Sequence, residues 1–260
     1  MMNDLTKGDT SQYRAPAVLR AFEILKAVAN TRSSMGISQI ARRLALSKST
    51  THGLVQSLLQ IGALEHNPHS NNLCLGSTLI ELVFQNQNYL RVREKAQPEL
   101  NRICGQIEET VFLGLLSRDQ ATIIASAEAD KAIKISSPPG TSIPLLSGAV
   151  GKVALAQGSK QAAQAYLQSH PLPRFTPNTI VRKTDYLKEI ERARQLGYAL
   201  DNEEYLPGVR AVATSLKNRD GLPMAIWVVG FSTSMFDNRL NEIIQHTVSG
   251  ARELRRILDN

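Results

Sequence analysis

The sequence predicts an α+β chain of two parts, and three observations support this prediction. At 260 residues the chain is longer than one typical domain and shorter than three. The first quarter has the pattern of three short helices followed by a hairpin, which is typical of a winged helix-turn-helix. The remainder alternates helical and strand periods with short turns between the strands, which predicts an antiparallel sheet flanked by helices.

Composition excludes several classes of protein. Hydrophobic residues make up 42% and charged residues 20% of the chain, as in ordinary globular proteins rather than disordered or collagen-like ones. The apolar run 224–231 is too short to span a bilayer, which needs about 20 residues. The start of the chain has no apolar signal core. With Cys74 and Cys104 as the two cysteines, we expect a reducing cytoplasmic location.

The first part begins after a polar arm, residues 1–14, which we expect to be flexible. Apolar residues at helical spacing over 17–29 predict the first helix, and a second is predicted over 39–44. Ser47 is placed to cap a third helix that runs to about Ile61.

A hairpin is predicted directly after the third helix. The runs 63–65 and 72–75 flank the turn 67–70, whose Asn-Pro-His-Ser composition is typical of a tight connection. Helix, helix, turn, helix and hairpin together predict a winged helix-turn-helix domain over 15–76.

A linker helix over 77–93 is predicted to follow, with its clearest helical pattern over 77–90. Residues 94–260 form the second domain. Its predicted helices are 94–108, 149–157, 161–168, 187–196 and 240–258, and its predicted strands are 110–116, 121–127, 132–136, 209–216 and 224–231.

The positive charge is concentrated near the start of the chain. Lys and Arg number 30 against 23 Asp and Glu, a formal net charge of +7, and residues 1–70 hold eight of the former and four of the latter. A basic balance can reflect nucleic acid, an anionic membrane or solubility alone. More than half of the excess lies in the first quarter, and such a local concentration is what a nucleic-acid partner needs. The alternative is a mildly basic surface with no partner.

The third helix has the composition of a recognition helix. Such a helix needs polar and basic side chains in its first turns and an apolar stripe that holds it to its domain. Hydroxyls and free amides at its start can contact phosphates, and Thr51, His52 and Gln56 can reach base edges. The alternative is a simple cap followed by a solvated face. The candidate DNA-contacting residues are Ser38, Arg42, Arg43, Ser47, Lys48, Ser49, Thr50, Thr51, His52, Gln56, His69 and Asn71.

The chain resembles the IclR family of bacterial transcription regulators along nearly its whole length. The segments that carry the resemblance are 37–41, 46–52, 58–64 and 68–82 in the first part and 143–145, 149–152, 197–204 and 208–213 in the second. The resemblance implies that 94–260 is a GAF-like α/β domain that binds a small effector and contributes to oligomerisation. It also implies a homodimer or tetramer built partly through the DNA-binding domain and the linker.

Two departures from the family pattern lie in the DNA-binding part. Gly53 stands where many members carry Arg, which removes a phosphate contact and costs the helix about 1 kcal/mol. His66, His69, Asn71 and Asn72 stand in the wing where members often have Arg. We therefore expect a modest DNA affinity or one that changes with pH, because histidine titrates near neutrality.

The resemblance implies that a small carboxylate or similar metabolite binds where a loop enters a helix at residues 147–151. Small residues there leave amides open to an anion. Trp227 and Val229 replace serines found in some members, which predicts a larger, more apolar ligand such as an aromatic or acyl carboxylate. Trp227 is then either a stacking wall or core packing that fills the pocket. The candidate ligand-binding residues are Gly148, Ala149, Val150, Asp201, Ala211, Trp227 and Val229.

Enzyme motifs are not matched. Gly148 and Gly151 are too closely spaced for a phosphate-binding loop, and Val153 stands where that loop needs Ser or Thr. The cysteines lack paired histidines, so neither a metal site nor a thiol nucleophile is predicted. Glu203 and Glu204 are interpreted as an exposed acidic turn. We expect no catalytic residue, metal or cofactor.

The favoured hypothesis is a ligand-responsive, sequence-specific regulator that binds a double-stranded DNA operator and a small-molecule effector, with no membrane partner. The alternatives are a small-molecule enzyme with a DNA-binding appendage, and a regulator that acts without an effector.

Overall fold

The computed structural model describes residues 15–31, 34–70, 72–85, 87–217 and 221–259. The chain divides into two compact units, with the boundary between Tyr89 and Leu90. The predicted arm 1–14 and the candidate Asn71 lie outside the described residues. None of the helices within the described ranges has both the length and the apolar character needed to cross a membrane.

The first unit contains the predicted three helices and hairpin. Its elements are α1 (Pro16–Ala29), α2 (Ile37–Arg43), α3 (Lys48–Gln60), β1 (Leu64–His66), β2 (Leu73–Leu75) and α4 (Ser77–Gln85). Ser47 caps α3 as predicted, because its hydroxyl oxygen accepts a hydrogen bond from the Thr50 amide at 3.1 Å. An isolated bridge between Met35 and Leu73 ties the hairpin to the segment before α2.

One buried cluster holds the first unit together. It joins the inner faces of the three helices to the hairpin through fully buried aliphatic side chains such as Ile24, Ile40, Val55 and Leu64. The outer faces of α2 and α3 are consequently left to solvent, with polar side chains at those positions.

Helix α5 (Gln87–Ile107) runs without interruption through residues 91–93. The prediction of separate helices over 77–90 and from Glu94 onward is therefore wrong in its break point. Residues 91–93 include no glycine or proline that would end a helix.

The second unit is an antiparallel sheet with helices packed on it. Its elements after α5 are β3 (Thr110–Leu116), β4 (Gln120–Ala127), β5 (Ser142–Pro144), α6 (Gly148–Ala156), α7 (Lys160–Ser169), α8 (Lys183–Leu196), β6 (Ala199–Asn202), β7 (Val209–Lys217), β8 (Pro223–Phe231) and α9 (Asp237–Asp259). The six strands lie in the order β5-β4-β3-β8-β7-β6, and every neighbouring pair is antiparallel. The predicted α+β fold class is confirmed.

The strand predicted over 132–136 is not formed. Its alternating residues mimic a strand, but the Ile133 side chain is 76% exposed and the lysines on either side of it are held by acidic partners. Lys131 pairs with Glu109 at 3.0 Å, and Lys134 pairs with Glu128 at 3.3 Å. The place beside β4 is taken instead by β5, which pairs with the start of β4.

Candidate nucleic-acid and ligand sites

Helix α3 presents a polar outer face. Val55 and Leu58 are buried against the rest of the unit, whereas Lys48, His52 and Gln56 are exposed. Short polar side chains and a lysine at the start of a solvent-facing helix are the groups that form hydrogen bonds with phosphates and base edges.

The prediction that Thr51 reaches a base edge is wrong for the free protein. Its side chain is fully buried, and its hydroxyl donates to the Ser47 carbonyl at 2.9 Å. The residue lies on the same side of α3 as Val55, four positions later, so it belongs to the face that packs inward.

The hydroxyl of Ser47 is also engaged within the helix start. Besides accepting from the Thr50 amide, it donates to the Thr50 hydroxyl at 2.8 Å. Ser47 therefore does cap α3, as the alternative interpretation of this segment expected. The exposed Lys48 side chain extends beyond the cap, whereas the exposed Ser49 hydroxyl lies within hydrogen-bond distance, 3.1 Å, of the Ser47 hydroxyl.

Helix α2 and the hairpin add further exposed groups in the same unit. Ser38 and Arg42 are exposed on α2, and the exposed Arg43 guanidinium donates to the Thr31 hydroxyl at 3.3 Å. His69 is exposed in the turn of the hairpin, where its amide donates to the Asn67 side chain at 2.9 Å.

In the second unit, the predicted ligand-binding residues come together. Ala149, Val150, Ala211, Trp227 and Val229 belong to one buried cluster between α6 and the sheet. The remaining two, Gly148 and Asp201, lie against each other at the start of α6.

Trp227 is packed inside this cluster rather than lining an open cavity. It is 5% exposed, and its ring centroid lies 5.6 Å from that of Phe112. The far edge of the indole covers Gly114, where a Cβ atom would come within 2.6 Å of the ring. Without a ligand, Trp227 therefore fills this space and does not form one wall of an open cavity.

The first turn of α6 faces the carboxyl group of Asp201. Gly148 has a φ of +57°, and a Cβ there would lie 1.9 Å from Asp201 Oδ2. Asp201 Oδ1 accepts a hydrogen bond from the Glu204 amide at 2.6 Å. Burial raises the pKa of Asp201 to about 6, although the bonds from nearby amides and the charge of Lys152 oppose that rise.

A buried ion pair adjoins this carboxyl group and was missed from the sequence. Lys152 donates to Glu204 Oε1 at 2.5 Å and to the Leu200 carbonyl at 2.7 Å, with 1% and 10% of the two charged side chains exposed. The interpretation of Glu204 as part of an exposed turn is therefore wrong. The available signal was Lys152 itself, because a lysine within the apolar helix α6 needs a buried acidic partner.

The Tyr186 hydroxyl completes this polar region. It is buried and has no hydrogen-bond partner among the described residues. A Cβ at Gly151 would lie 2.6 Å from it. Burial, reinforced by the nearby Glu204 carboxylate, raises the pKa of Tyr186 well above its usual value, so the hydroxyl stays protonated and can donate.

Replacing Asp201 by asparagine is expected to remove one component of the pH dependence of stability. A carboxyl group whose pKa rises from 3.8 to about 6 on folding favours the folded state below pH 4 and loses that contribution as the pH passes through 6. The difference in unfolding free energy between the wild type and Asp201→Asn should therefore change by about 2 to 2.5 kcal/mol between pH 4 and pH 7.5. Urea unfolding of both proteins across this range measures it. Parallel pH profiles would contradict the raised pKa.

Concave surfaces elsewhere in the second unit do not include these residues. One of about 440 Å³ lies by the end of β7 and is lined by Thr214, Ser215 and Arg252 among others. Another of about 390 Å³ lies beside Cys104 and Lys131. Within the described residues, no three His, Cys, Asp or Glu side chains are grouped so that they could hold a metal ion.

Each of the two units matches a family of known proteins. Residues 17–68 match the family model described as the IclR helix-turn-helix domain, and 85–256 match that of the bacterial transcriptional regulator IclR C-terminal domain. The HTH-type transcriptional regulator BhcR of Paracoccus denitrificans is 31% identical, over 92% of this chain and 85% of that protein. The HTH-type transcriptional regulator KdgR of Escherichia coli is 30% identical, over 92% of this chain and 90% of that protein.

A solved structure extends the likeness to the fold. An IclR homologue from Microbacterium hydrocarbonoxydans, complexed with 4-hydroxybenzoate, has a TM-score of 0.74 and 20% identity, over 92% of this chain and 99% of that one. Because one family model covers the helix-turn-helix and another nearly all of the second unit, the chain belongs to the IclR family of HTH-type bacterial transcriptional regulators.

Proposed function

We propose that this regulator reads its operator with helix α3 in the major groove. This proposal rests on one observation: one face of α3 is buried and the opposite face is exposed. The exposed residues include Lys48, Ser49, His52 and Gln56. Arg42, Arg43 and Ser38 are assigned to the DNA backbone and His69 to contacts from the wing. Thr50 and the capping Ser47 hold the first turn in place.

Replacing Lys48 by glutamate is expected to weaken DNA binding at least tenfold, because a cation near the phosphates becomes an anion. The DNA is selected by the wild-type protein from a random duplex pool, and affinity is measured by gel shift from 50 to 300 mM salt. The dependence of log affinity on log salt concentration should become shallower, with the magnitude of its slope smaller by about 1 to 2.

Lys160→Glu is the matched control for this experiment. Lys160 is likewise the exposed first residue of a helix that a serine caps, but it lies in the second unit. It should leave DNA binding unchanged. Wild-type affinity in Lys48→Glu would refute the placement of α3 in the groove.

For the effector, we propose an aromatic or acyl carboxylate that binds between the start of α6 and β8. The 4-hydroxybenzoate complex of the Microbacterium homologue supports this class. The residues assigned to the ligand are Gly148, Ala149, Val150, Asp201, Ala211, Trp227 and Val229. Because Trp227 is packed on Phe112, ligand entry requires this ring pair to move.

Intrinsic fluorescence tests the effector proposal directly, since Trp227 is the one tryptophan of the chain. Titration with 4-hydroxybenzoate and a panel of related aromatic acids should shift the Trp227 emission, and calorimetry should give a matching saturation curve. Glyoxylate and pyruvate serve as the small-acid comparison. Saturable binding of either of these, with no response to any aromatic acid, would refute the proposed ligand class.

We further propose that the protein acts as a homodimer or a tetramer in the bacterial cytoplasm, without catalytic turnover of its ligand. Val18, Leu19 and Phe22 support self-association, because these α1 side chains are each more than half exposed and form an apolar stripe. Effector binding then changes how the subunits pair, through the predicted linker 77–93, and so alters the spacing of two recognition helices on a palindromic operator. Enzymatic turnover has no comparable support, since the relatives are regulators.

A further inference from the structure

Gly53 occupies the centre of the outer face of α3. It is two residues from Thr51 and two from Val55, both buried, so at 100° per residue it points about 160° away from each of them. Its neighbours one turn away, Ser49 and Gln56, are exposed. This position is therefore the part of α3 that projects furthest from the core of the unit.

A side chain at this position would fit in the free protein. A Cβ added to Gly53 meets no atom within 4 Å, and its backbone does not have the positive φ that would favour glycine. Glycine inside an exposed helix also lowers helix stability. Neither packing nor backbone geometry in the first unit requires glycine at this position. The reason for it must therefore lie in what the outer face of α3 contacts.

Gly53 has no free group with which to read polar base edges. Its amide and carbonyl lie within the ladder of α3, and the carbonyl accepts a further bond from the Ser57 hydroxyl at 3.1 Å. What the residue offers is an uncovered Cα surface and close approach of the helix backbone. The one apolar group that bases display in the major groove is the thymine methyl.

We infer that Gly53 is a specificity-determining residue that lets the α3 backbone come into contact with a thymine methyl group of the operator. The inference rests on the proposed function, since α3 must lie in the major groove. A side chain at position 53 would hold the helix away from the base pair and break this contact.

The test uses the whole 260-residue chain and duplexes that it selects from a random pool. Gly53→Ala should weaken binding to the selected sequence at least fivefold, the effect of one lost base contact. It should also raise the melting temperature by about 2 to 4 °C. In parallel, each thymine of the selected site is replaced by deoxyuridine. One replacement should weaken wild-type binding several-fold and leave Gly53→Ala unaffected.

Gly105→Ala is the matched control. Gly105 is an exposed glycine inside α5 with no atom within 4 Å of an added Cβ. It should gain similar stability and bind DNA as the wild type does. Wild-type affinity in Gly53→Ala, or insensitivity of the wild type to every deoxyuridine, would overturn the inference while leaving the proposed function intact. Failure of the wild type to select any sequence would overturn both.

Discussion

Replacing Lys152 by methionine is expected to destabilise the second unit by about 3 to 5 kcal/mol, because the carboxylate of Glu204 would stay buried without its cation. The Leu200 carbonyl would lose its donor in the same variant. Methionine has nearly the length of lysine, so the loss reports on charge rather than on a cavity. Urea unfolding at pH 7, followed by circular dichroism, measures the change.

The double variant Lys152→Met with Glu204→Leu separates the two explanations. Removing both charges eliminates the unpaired carboxylate, so much of the lost stability should return. A single Lys152→Met variant as stable as the wild type would contradict the buried pair itself.

Gly148→Ala is the second substitution with a large expected effect, a loss of about 2 to 5 kcal/mol. Two costs combine at this residue. An L side chain at a φ of +57° is strained, and its Cβ would collide with the Asp201 carboxyl group, 1.9 Å away in the present geometry. Thermal and urea unfolding give the loss.

Gly158→Ala provides the comparison for Gly148→Ala, since a Cβ there meets its nearest neighbour at an ordinary 3.7 Å. It should be neutral or slightly stabilising. Adding Asp201→Ala to Gly148→Ala should relieve the collision but not the backbone strain, so stability should recover only in part. A fully stable Gly148→Ala protein would show that α6 and Asp201 are not in contact.

Local signals in the sequence predicted most elements because each depends on residues close together in the chain. Ser47 caps α3 through an amide three residues away. Gly197 ends α8 with a φ of +80°, as expected for a glycine directly after a helix. Short runs of mostly apolar residues likewise located β7 and β8, whose residues are largely buried.

Two of the failures arise because the deciding partner is distant in the chain, and a third because residue type does not show which way a side chain faces. Alternation at 132–136 is as regular as in a real strand, but β5 takes the neighbouring place. Glu204 is buried because Lys152, 52 residues earlier, pairs with it. Thr51 has the chemistry of a DNA contact, and only its angular position on α3 turns it inward.

The order of strands in the sheet has a consequence for how the protein folds during synthesis. Strand β3 lies between β4 and β8, and Thr110 pairs with Val229, more than a hundred residues later. The centre of the sheet therefore cannot close until most of the chain has left the ribosome, and contacts of such long range form slowly. The buried cluster of the first unit joins residues that are close together in the sequence. We therefore expect the helix-turn-helix to fold first. Until β8 is made, β3 and β4 can form only an open hairpin, which is prone to aggregation.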